Sequence, residues 1–208
     1  GVQPAIVYTY FNMEDPVVGG YTKEKIALRR AISMAYNIDD EVHVVRLDQA
    51  MAATQPVPPN VVGHDPKFKG RVSYDVAGAK ALLDKFGYVD RDGDGWRDLP
   101  DGKPLKLVLT SDTSAIYRQF DELWQKSMSA VGIRIEFQKQ KFGEALKMAV
   151  AGQLQMWGLG NTSANDAGLT FLNQLYGPHK GTANLSRFDL PEFNALYEKA
   201  KQLPNGPE

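Results

Sequence analysis

Apolar residues recur at helical spacing in six segments of the chain. Thr22 can cap the first of these helices, and an apolar stripe that includes Ile26 and Leu28 predicts that the helix is amphipathic. Asp75 can cap a later helix that ends before Gly87, a residue suited to the left-handed conformation at a helix end. The six predicted helices cover residues 22–37, 39–47, 76–86, 114–132, 142–151 and a stretch from about 191 onward.

Three further segments have the pattern of β-strands. The segments "LKLVLT" at 105–110 and "IRIEFQ" at 133–138 alternate or run apolar, and "LQMW" at 154–157 is a shorter candidate. A strand, a helix and a strand at this spacing form a right-handed crossover, so we expect the first two strands to be parallel. Four prolines between Gln55 and Lys67 predict an ordered extended loop. Together these elements predict an α/β fold in a single domain.

The composition excludes several classes of chemistry. The chain has 208 residues, and Lys+Arg 24 against Asp+Glu 25 give a net charge of -1, so no long-range field attracts nucleic acid or an anionic membrane. The absence of cysteine excludes disulfides, thiol nucleophiles and cysteine-ligated zinc. No G-x-S-x-G, H-E-x-x-H or phosphate-loop motif occurs, so we expect no enzyme, no cofactor and no nucleic-acid partner.

The stretch "DRDGDGWRDLPD", residues 90–101, has the spacing of a calcium-binding EF-hand loop. Gly95 stands at the sixth position, where the loop must bend, and Asp101 stands at the twelfth. A helix must leave such a loop, but Pro104 and a predicted strand follow here, so the EF-hand hypothesis fails. Two alternatives remain: a calcium site within the loop, or tight turns in which aspartates accept hydrogen bonds from backbone amides, which we favour. The carboxylates of the alternative calcium site are Asp90, Asp92, Asp94 and Asp98.

Two stretches combine aromatic rings with short polar side chains, which is the composition of a site that buries an organic ligand. They are "YTYFN", residues 8–12, and "WGLGNTSAND", residues 157–166. The alternative is that the tyrosines and the tryptophan of these stretches are core residues of strands. A hydrolase that uses Asp166 or His179 is a further alternative, weakened by the lack of any base and nucleophile pair.

Seven motifs stand in one order between Tyr8 and about Lys201. They are "YFNM", "LRRAISMAYNIDDEV", "PVPP", "YDVAGAKALLDKFGYVDRDGDGWRDLPDGKPLKLVL", "GIRIEFQ", "AGQLQMWGLG" and "ANLSRFDLPEFNALYEKA". This order resembles that of the family 5 extracellular solute-binding proteins, the peptide and nickel class of ABC-transporter receptors. The resemblance implies a periplasmic-binding-protein-like lobe of the type II class, with a mixed sheet that contains the parallel crossover and is flanked by helices.

The resemblance also implies a function. Family members are more than twice this length, so residues 1–208 are expected to form a single C-terminal ligand-binding lobe of a two-lobed receptor. Such a receptor closes its lobes on a peptide-like or other small polar solute and delivers the solute to a membrane permease. We therefore expect a monomer in the periplasm or outside the cell, with a lipid anchor as one option for the full-length protein. A calcium-stabilised structural or interaction module remains the main alternative.

The resemblance further implies which residues line the ligand. Residues 8–12 match the hinge-proximal strand that borders the cleft in relatives, and residues 157–166 match the segment that lines the ligand. The tryptophan typical of that segment falls on Asn161, and its typical aspartate falls near Ala164. This departure implies a more neutral, hydrogen-bonding surface, suited to a modified peptide, an opine-like or sugar-like solute, or a metal chelate. The expected ligand-binding residues are Tyr8, Tyr10, Asn12, Trp157, Asn161, Ser163, Asn165 and Asp166.

Overall fold

The computed structural model of the protein describes residues 5–53, 65–68, 70, 72–162 and 172–202. The strands are β1 (Ala5–Phe11), β2 (Lys106–Ser111), β3 (Arg134–Lys139) and β4 (Met156–Thr162). The helices are α1 (Lys23–Ala35), α2 (Ile38–Asp40), α3 (Val76–Lys85), α4 (Ala115–Ala130), α5 (Phe142–Val150) and α6 (Pro191–Gln202). A π-helical turn at Glu41–Val45 continues α2, and two 3-10 turns at Asn173–Leu175 and Gly177–His179 precede α6.

The strands form one mixed sheet in the order β1-β4-β2-β3. Strands β2 and β3 are parallel along their whole length and α4 connects them, which confirms the predicted crossover. Helix α5 then carries the chain back past β2 to β4, which is parallel to β2. Strand β1 is antiparallel to β4, with Ala5 opposite Thr162 and Phe11 opposite Met156. The predicted α/β class is confirmed, although β4 starts two residues later than predicted and extends to Thr162.

Two helices begin where the sequence predicts. The Thr22 hydroxyl accepts a hydrogen bond of 3.3 Å from the Lys25 N–H, and the Asp75 carboxylate accepts one of 2.8 Å from the Gly78 N–H. Both residues therefore satisfy N–H groups that have no partner within the first turn of a helix. Gly87 follows α3 with a φ of +84°, the left-handed conformation that a glycine adopts without strain.

The chain after α1 departs from the prediction. The π-helical turn ends at Val45, and Leu47 and Asp48 have positive φ values of 48° and 61°, so a helix extending to residue 47 is wrong. Residues 54–64, which contain most of the predicted proline-rich loop, lie outside the described residues. Among the helices of the described ranges, none is both long and apolar enough to cross a membrane.

The larger core cluster lies on one face of the sheet, beneath α1, α3 and α4. Its fully buried members include Leu28, Leu83, Leu107 and Met128. Burial of a side chain of this size stabilises a fold by roughly 1.5–3 kcal/mol. The sequence places Ile26 in the apolar stripe of α1, but Ile26 is not buried with that stripe, because it is 48% exposed. The reason is its position, roughly 160° around the helix from Leu28 at 3.6 residues per turn.

A smaller cluster covers the opposite face of the sheet, beneath α5. Its buried members are Tyr10, Ala145, Ala149, Leu154, Trp157 and Leu185. Partly buried residues that pack against it are Tyr8, Met148 and Leu159. Side chains alternate between the faces along each strand, so Phe11 and Met156 reach the larger cluster while Tyr10 and Trp157 reach the smaller one.

Candidate ligand-binding site

One edge of the sheet brings together parts of both predicted ligand-binding stretches. Strands β2, β3 and β4 are parallel, so their carboxyl ends lie at this edge, and β1 begins there because it is antiparallel to β4. Tyr8 is therefore opposite Leu159, and Ile6 is opposite Asn161. In open α/β sheets, ligands bind outside the carboxyl ends of the strands. We call this region the carboxyl edge.

An ionic network occupies the carboxyl edge at β2 and β3. The Ser111 hydroxyl donates to one carboxylate oxygen of the buried Asp121 at 2.7 Å, and Lys139 forms an ion pair with the other oxygen. The Lys139 ammonium also lies 3.4 Å from the carbonyl oxygen of Asp112. Because these groups satisfy one another, the side of the edge formed by β1 and β4 is the better candidate for a ligand.

Three aromatic rings form a row across β1, β4 and the start of α5, and we call Tyr10, Trp157 and Phe142 the aromatic row. The rings of Tyr10 and Trp157 meet edge to face with centroids 6.5 Å apart, and the Phe142 ring lies 5.7 Å from Trp157. Tyr10 and Trp157 are 5% and 6% exposed, whereas Phe142 is 60% exposed. The row therefore has a buried inner part, which fits the core alternative for Tyr10 and Trp157, and an exposed outer ring.

Phe142 is absent from the site residues that the sequence predicts. Its spacing from Ala145 and Ala149 fits the apolar stripe of α5, so the pattern alone indicates a core position. Both alanines are buried as expected. Phe142, however, is the first residue of α5 and comes three residues after Lys139, the last residue of β3, and it stays largely exposed there. A large aromatic residue within three residues of a strand end is the signal that could have identified it.

Burial keeps both tyrosines of β1 in the neutral form. Desolvation raises the pKa of Tyr8 above its ordinary value. Burial and the neighbouring Tyr8 raise the pKa of Tyr10, and the positive charge of Arg187 opposes this shift only in part. A neutral phenol can donate and accept hydrogen bonds without adding charge to a site. Direct contact of either tyrosine with a ligand stays a prediction.

Asn12 holds the far end of β1 in place. Its side chain is 5% exposed, and its Nδ2 donates to the carbonyl oxygens of Gly152 and Leu154 at 3.1 and 2.9 Å. Its Oδ1 accepts a hydrogen bond of 3.0 Å from the Glu14 N–H. At about 3.3 Å per residue, Asn12 lies roughly 20 Å along β1 from Ile6, the residue opposite Asn161. Asn12 is thus far from Asn161 although it is two residues from Tyr10, and its side chain is already hydrogen-bonded to backbone groups, so its contact with a ligand stays a prediction.

The remaining predicted site residues have different outcomes. Asn161 lies in β4, close to the carboxyl edge. Ser163, Asn165 and Asp166 lie outside the described residues, so the expectations for them stay predictions. His179, a candidate of the hydrolase alternative, lies in a 3-10 turn, where its ring contacts Asn173 and packs edge to face on Tyr176 at 4.8 Å. These contacts account for His179 as a structural residue.

A cavity of about 410 Å³ lies beside β1 on the side away from β4, and we call it the β1 groove. Its walls are β1, one face of α1 and parts of the segment 174–188. Ile26 and Arg29 belong to the α1 wall. Arg29 donates to the carbonyl oxygens of Val18 and Gly20 at 2.8 and 2.7 Å, and burial lowers its pKa. An arginine nevertheless keeps its charge at neutral pH. The sequence does not predict this groove.

The stretch 90–101, which we call the aspartate turn, uses its carboxylates to accept hydrogen bonds from its own backbone. Asp90 accepts from the N–H groups of Gly93 and Gly95 at 2.8 Å each. Asp92 accepts a hydrogen bond of 3.2 Å from the Asp94 N–H, and Asp94 accepts one of 2.8 Å from the Trp96 N–H. Gly93 and Gly95 have φ values of +78° and +89°. These contacts are those of the tight turns that the sequence favours.

Part of the aspartate turn also has the geometry of a metal site. Asp90, Asp92 and Asp98 each offer a carboxylate oxygen, and these oxygens lie within 4.8 Å of one another. Asp94, the fourth expected calcium ligand, instead forms an ion pair with Arg134. Arg134 begins β3, so the turn lies at the edge of the sheet opposite the carboxyl edge. The calcium hypothesis thus stays a prediction about stability, separate from the candidate ligand-binding site.

Comparison with known proteins identifies relatives of the chain. The model of a family described as "Bacterial extracellular solute-binding proteins, family 5 Middle" matches residues 1–183. Di/tripeptide-binding protein 2 of Pseudomonas aeruginosa is 32% identical over 131 residues, which are 62% of this chain and 22% of that protein. Heme-binding protein A of Haemophilus influenzae is 23% identical over 205 residues, which are 98% of this chain and 35% of that protein. The chain thus spans well under half the length of both relatives.

Solved structures share the fold. The oligopeptide-binding protein AppA from Bacillus subtilis, solved in complex with a nonapeptide, aligns with a TM-score of 0.84 at 18% identity. The alignment covers 98% of this chain and 40% of AppA. This likeness confirms that the chain has the fold expected from the resemblance, that of periplasmic solute-binding proteins.

Proposed function

The chain belongs to family 5 of the bacterial extracellular solute-binding proteins, and from this membership we propose that it is the C-terminal ligand-binding lobe of a two-lobed receptor. The receptor captures a solute outside the cytoplasm and delivers it to an ABC permease in the membrane, without covalent chemistry. The lengths support this proposal, because 98% of this chain aligns with only 40% of AppA. The other lobe of the receptor lies outside residues 1–208.

The proposed location of the binding site rests on one observation, the exposed ring of Phe142. The ring is 60% exposed on one side and packs on Trp157 on the other, and Trp157 in turn packs on Tyr10. A rigid aromatic surface at the edge of a sheet can bury an apolar group of a ligand at a low cost in side-chain entropy. The site therefore includes Phe142 together with Tyr8 and the carboxyl end of β4.

The ligand in this proposal is a peptide-like or other small polar solute that has at least one apolar group. Phe142 packs against that group, and the neutral phenol of Tyr8 forms hydrogen bonds with an uncharged polar group. Di- and tripeptides are named for one relative and heme for another, so membership of the family does not fix the ligand.

Closure of two lobes explains how such a shallow site holds a solute. The aromatic row lies at one edge of the sheet and offers one wall, so a ligand on this lobe alone stays partly in water. A second lobe that closes over the ligand removes the remaining surface from water and adds polar partners. The isolated lobe should therefore bind more weakly than the full-length receptor.

Thermal unfolding of the full-length receptor tests this function. We expect a few members of a library of short peptides and small polar metabolites to raise the melting temperature, because a ligand at 100 times its Kd stabilises a protein by about 2.7 kcal/mol. A stabiliser should keep its effect in the presence of EDTA unless it is itself a metal chelate. If no compound of a broad library raises the melting temperature, the proposed function is wrong.

A further inference from the structure

Three aspartates in the aspartate turn are each followed directly by a glycine. They are Asp92, Asp94 and Asp101. A carboxyl group next to a glycine is especially prone to react with the backbone, because the glycine nitrogen has no neighbouring Cβ to shield it. The three glycines have φ values of +78° to +89°, which other residues adopt only with strain. The turn therefore needs the very residues that make its backbone reactive.

The reaction in question is the isomerisation of aspartate through a succinimide ring. The backbone nitrogen of the glycine forms a bond to the aspartate Cγ, and the nitrogen's proton and the hydroxyl of the protonated carboxyl group leave together as water. A water molecule then opens the ring at one of its two carbonyl carbons. Opening at the side-chain carbonyl restores aspartate, whereas opening at the backbone carbonyl gives isoaspartate. One water leaves and one returns, so the reaction needs no other reactant.

Asp90 holds two of the three reactive N–H groups. Its Oδ1 accepts a hydrogen bond from the Gly93 N–H and its Oδ2 accepts one from the Gly95 N–H, at 2.8 Å each. A carboxylate in this position opposes the loss of the glycine proton, because it would repel the negative charge left on the nitrogen. The two hydrogen bonds also fix the peptide units that contain these nitrogens, which keeps each nitrogen from turning toward the preceding side chain.

The third pair, Asp101 and Gly102, is held without Asp90. The Gly102 N–H donates to the backbone carbonyl oxygen of Leu99 at 2.8 Å. The Asp101 carboxylate accepts a hydrogen bond of 3.0 Å from the Lys103 N–H. This pair therefore differs from the other two in the acceptor of its glycine N–H, and it provides a control within the same segment.

Isomerisation would disturb the contact between the aspartate turn and the sheet. Asp94 forms an ion pair with Arg134, the first residue of β3, and the Arg134 guanidinium lies 5.8 Å from the centre of the Trp96 ring. Isoaspartate lengthens the main chain by one carbon and shortens the side chain by one, so the carboxyl group leaves its position. Isomerisation at Asp94 would thus break the ion pair with Arg134.

We propose that Asp90 protects the aspartate turn from isomerisation at Asp92 and Asp94 by holding the N–H groups of the two glycines that follow them. Asp92 is the more sensitive of the two sites. Its carboxylate accepts the longer hydrogen bond, at 3.2 Å against 2.8 Å for Asp94, and Asp94 is also held by its ion pair with Arg134. This role of Asp90 goes beyond the proposed function and does not depend on it.

Slow incubation of the purified full-length protein tests the inference. Wild type and Asp90→Ala are kept at neutral pH with EDTA, so that no bound metal ion restrains the turn, and peptide mapping by mass spectrometry measures isoaspartate at each site. We expect Asp90→Ala to raise the rates at Asp92 and Asp94 by roughly tenfold or more, the factor that loss of a hydrogen bond to a charged group gives. The rate at Asp101 should stay the same, because a backbone carbonyl holds the next N–H.

Asp90→Asn is the second variant, because its uncharged amide keeps one acceptor oxygen. Its rates at Asp92 and Asp94 should lie between those of wild type and Asp90→Ala. Equal acceleration at all three sites would indicate that the whole turn has loosened and would overturn the inference, as would unchanged rates. Slower isomerisation in Asp90→Ala would also overturn it, because the carboxylate would then act as a base that removes the glycine proton. The measurement needs no solute, so the inference and the proposed function can fail separately.

Discussion

The two faces of the sheet are built differently. The face beneath α1, α3 and α4 is closed, and Leu28, Leu83 and Leu107 have no exposed surface. The face beneath α5 has a smaller cluster against which Tyr8 packs partly buried, and the Phe142 ring beside Trp157 is mostly exposed. A closed aliphatic face stabilises the fold, whereas exposed aromatic surface at a strand edge is typical of a binding site. Recognition of the ligand is thus expected on the α5 side, and stability on the other.

Replacement of Leu28 by alanine should give the largest loss of stability. The side chain is fully buried among α1, α3 and α4, and its truncation removes apolar contacts and leaves a cavity. We expect the free energy of unfolding to fall by about 2–5 kcal/mol. Denaturant unfolding of the purified protein measures this change.

Ile26→Ala is the matched control for this substitution, because it removes a similar side chain from the same helix. Ile26 is 48% exposed, so we expect its loss to change the free energy of unfolding by less than about 1 kcal/mol. Equal losses for the two variants would contradict the division of α1 into a buried face and a groove face.

Asn12→Ala should have the next largest effect, at the end of β1 that is remote from the carboxyl end of β4. The substitution leaves the carbonyl oxygens of Gly152 and Leu154 without their donor, so we expect a loss of about 1–3 kcal/mol in the free energy of unfolding. Denaturant unfolding measures the loss, and titration of the full-length receptor with its ligand should show an unchanged Kd. A weaker Kd at unchanged stability would restore Asn12 to the ligand-binding residues.

Much of the fold could be predicted from the sequence because local chemistry determines it. Thr22, Asp75 and Gly87 mark helix ends through their own hydrogen bonds or φ angle, and the spacing of strand, helix and strand determines that β2 and β3 are parallel. The length of β4 could not be predicted, because Gly158 and Gly160 favour a loop. Pairing with β1 keeps both glycines in the strand, and this pairing joins residues far apart in the sequence.

The candidate site was predicted less well for the same reason. The aromatic residues of the two stretches lie on the paired strands β1 and β4, but Tyr10 and Trp157 are buried there. The exposed ring beside them is that of Phe142, which belongs to neither stretch. Periodicity assigns Phe142 and Ala145 to one stripe and cannot show that the helix starts at the edge of the sheet. Exposure of this kind depends on where an element begins relative to its neighbours.

Phe142→Ala should separate recognition from stability on the α5 face. The ring is mostly exposed, so its removal is expected to change the melting temperature little. Loss of one aromatic contact of about 1.4 kcal/mol weakens ligand affinity roughly tenfold. Calorimetric titration of the full-length receptor with a solute from the thermal screen measures the Kd.

Leu196→Ala serves as the control for Phe142, because this exposed apolar residue lies on α6, outside the aromatic row and the β1 groove. The control should leave the Kd unchanged. An unchanged Kd for Phe142→Ala as well would remove the aromatic row from the binding site and would leave both faces of the sheet as purely structural.

Two aspartate substitutions in the aspartate turn should have the smallest effects, of opposite sign. The N–H groups of Gly95 and Gly93 lower the pKa of Asp90, so its charged form stabilises the fold above the ordinary pKa of a carboxyl, and this stability is lost as the pH falls through the lowered value. The Asp94 N–H lowers the pKa of Asp92, but desolvation and the charges of Asp94 and Asp98 raise it overall. Asp92 therefore opposes folding above its raised pKa.

At neutral pH we expect Asp90→Asn to lower the melting temperature slightly and Asp92→Asn to raise it or leave it unchanged. Both differences should vanish in acid, where the wild-type carboxyls are protonated in the folded and unfolded states. Melting curves from about pH 7 down to about pH 2 measure them, since the ordinary pKa of Asp is about 3.9 and the pKa of Asp90 in the folded protein is lower. A bound calcium ion would change this pattern, because both substitutions would then destabilise the protein in calcium and EDTA would abolish the difference. The sign of the Asp92→Asn effect thus decides whether the turn is held by its own amides or by a metal.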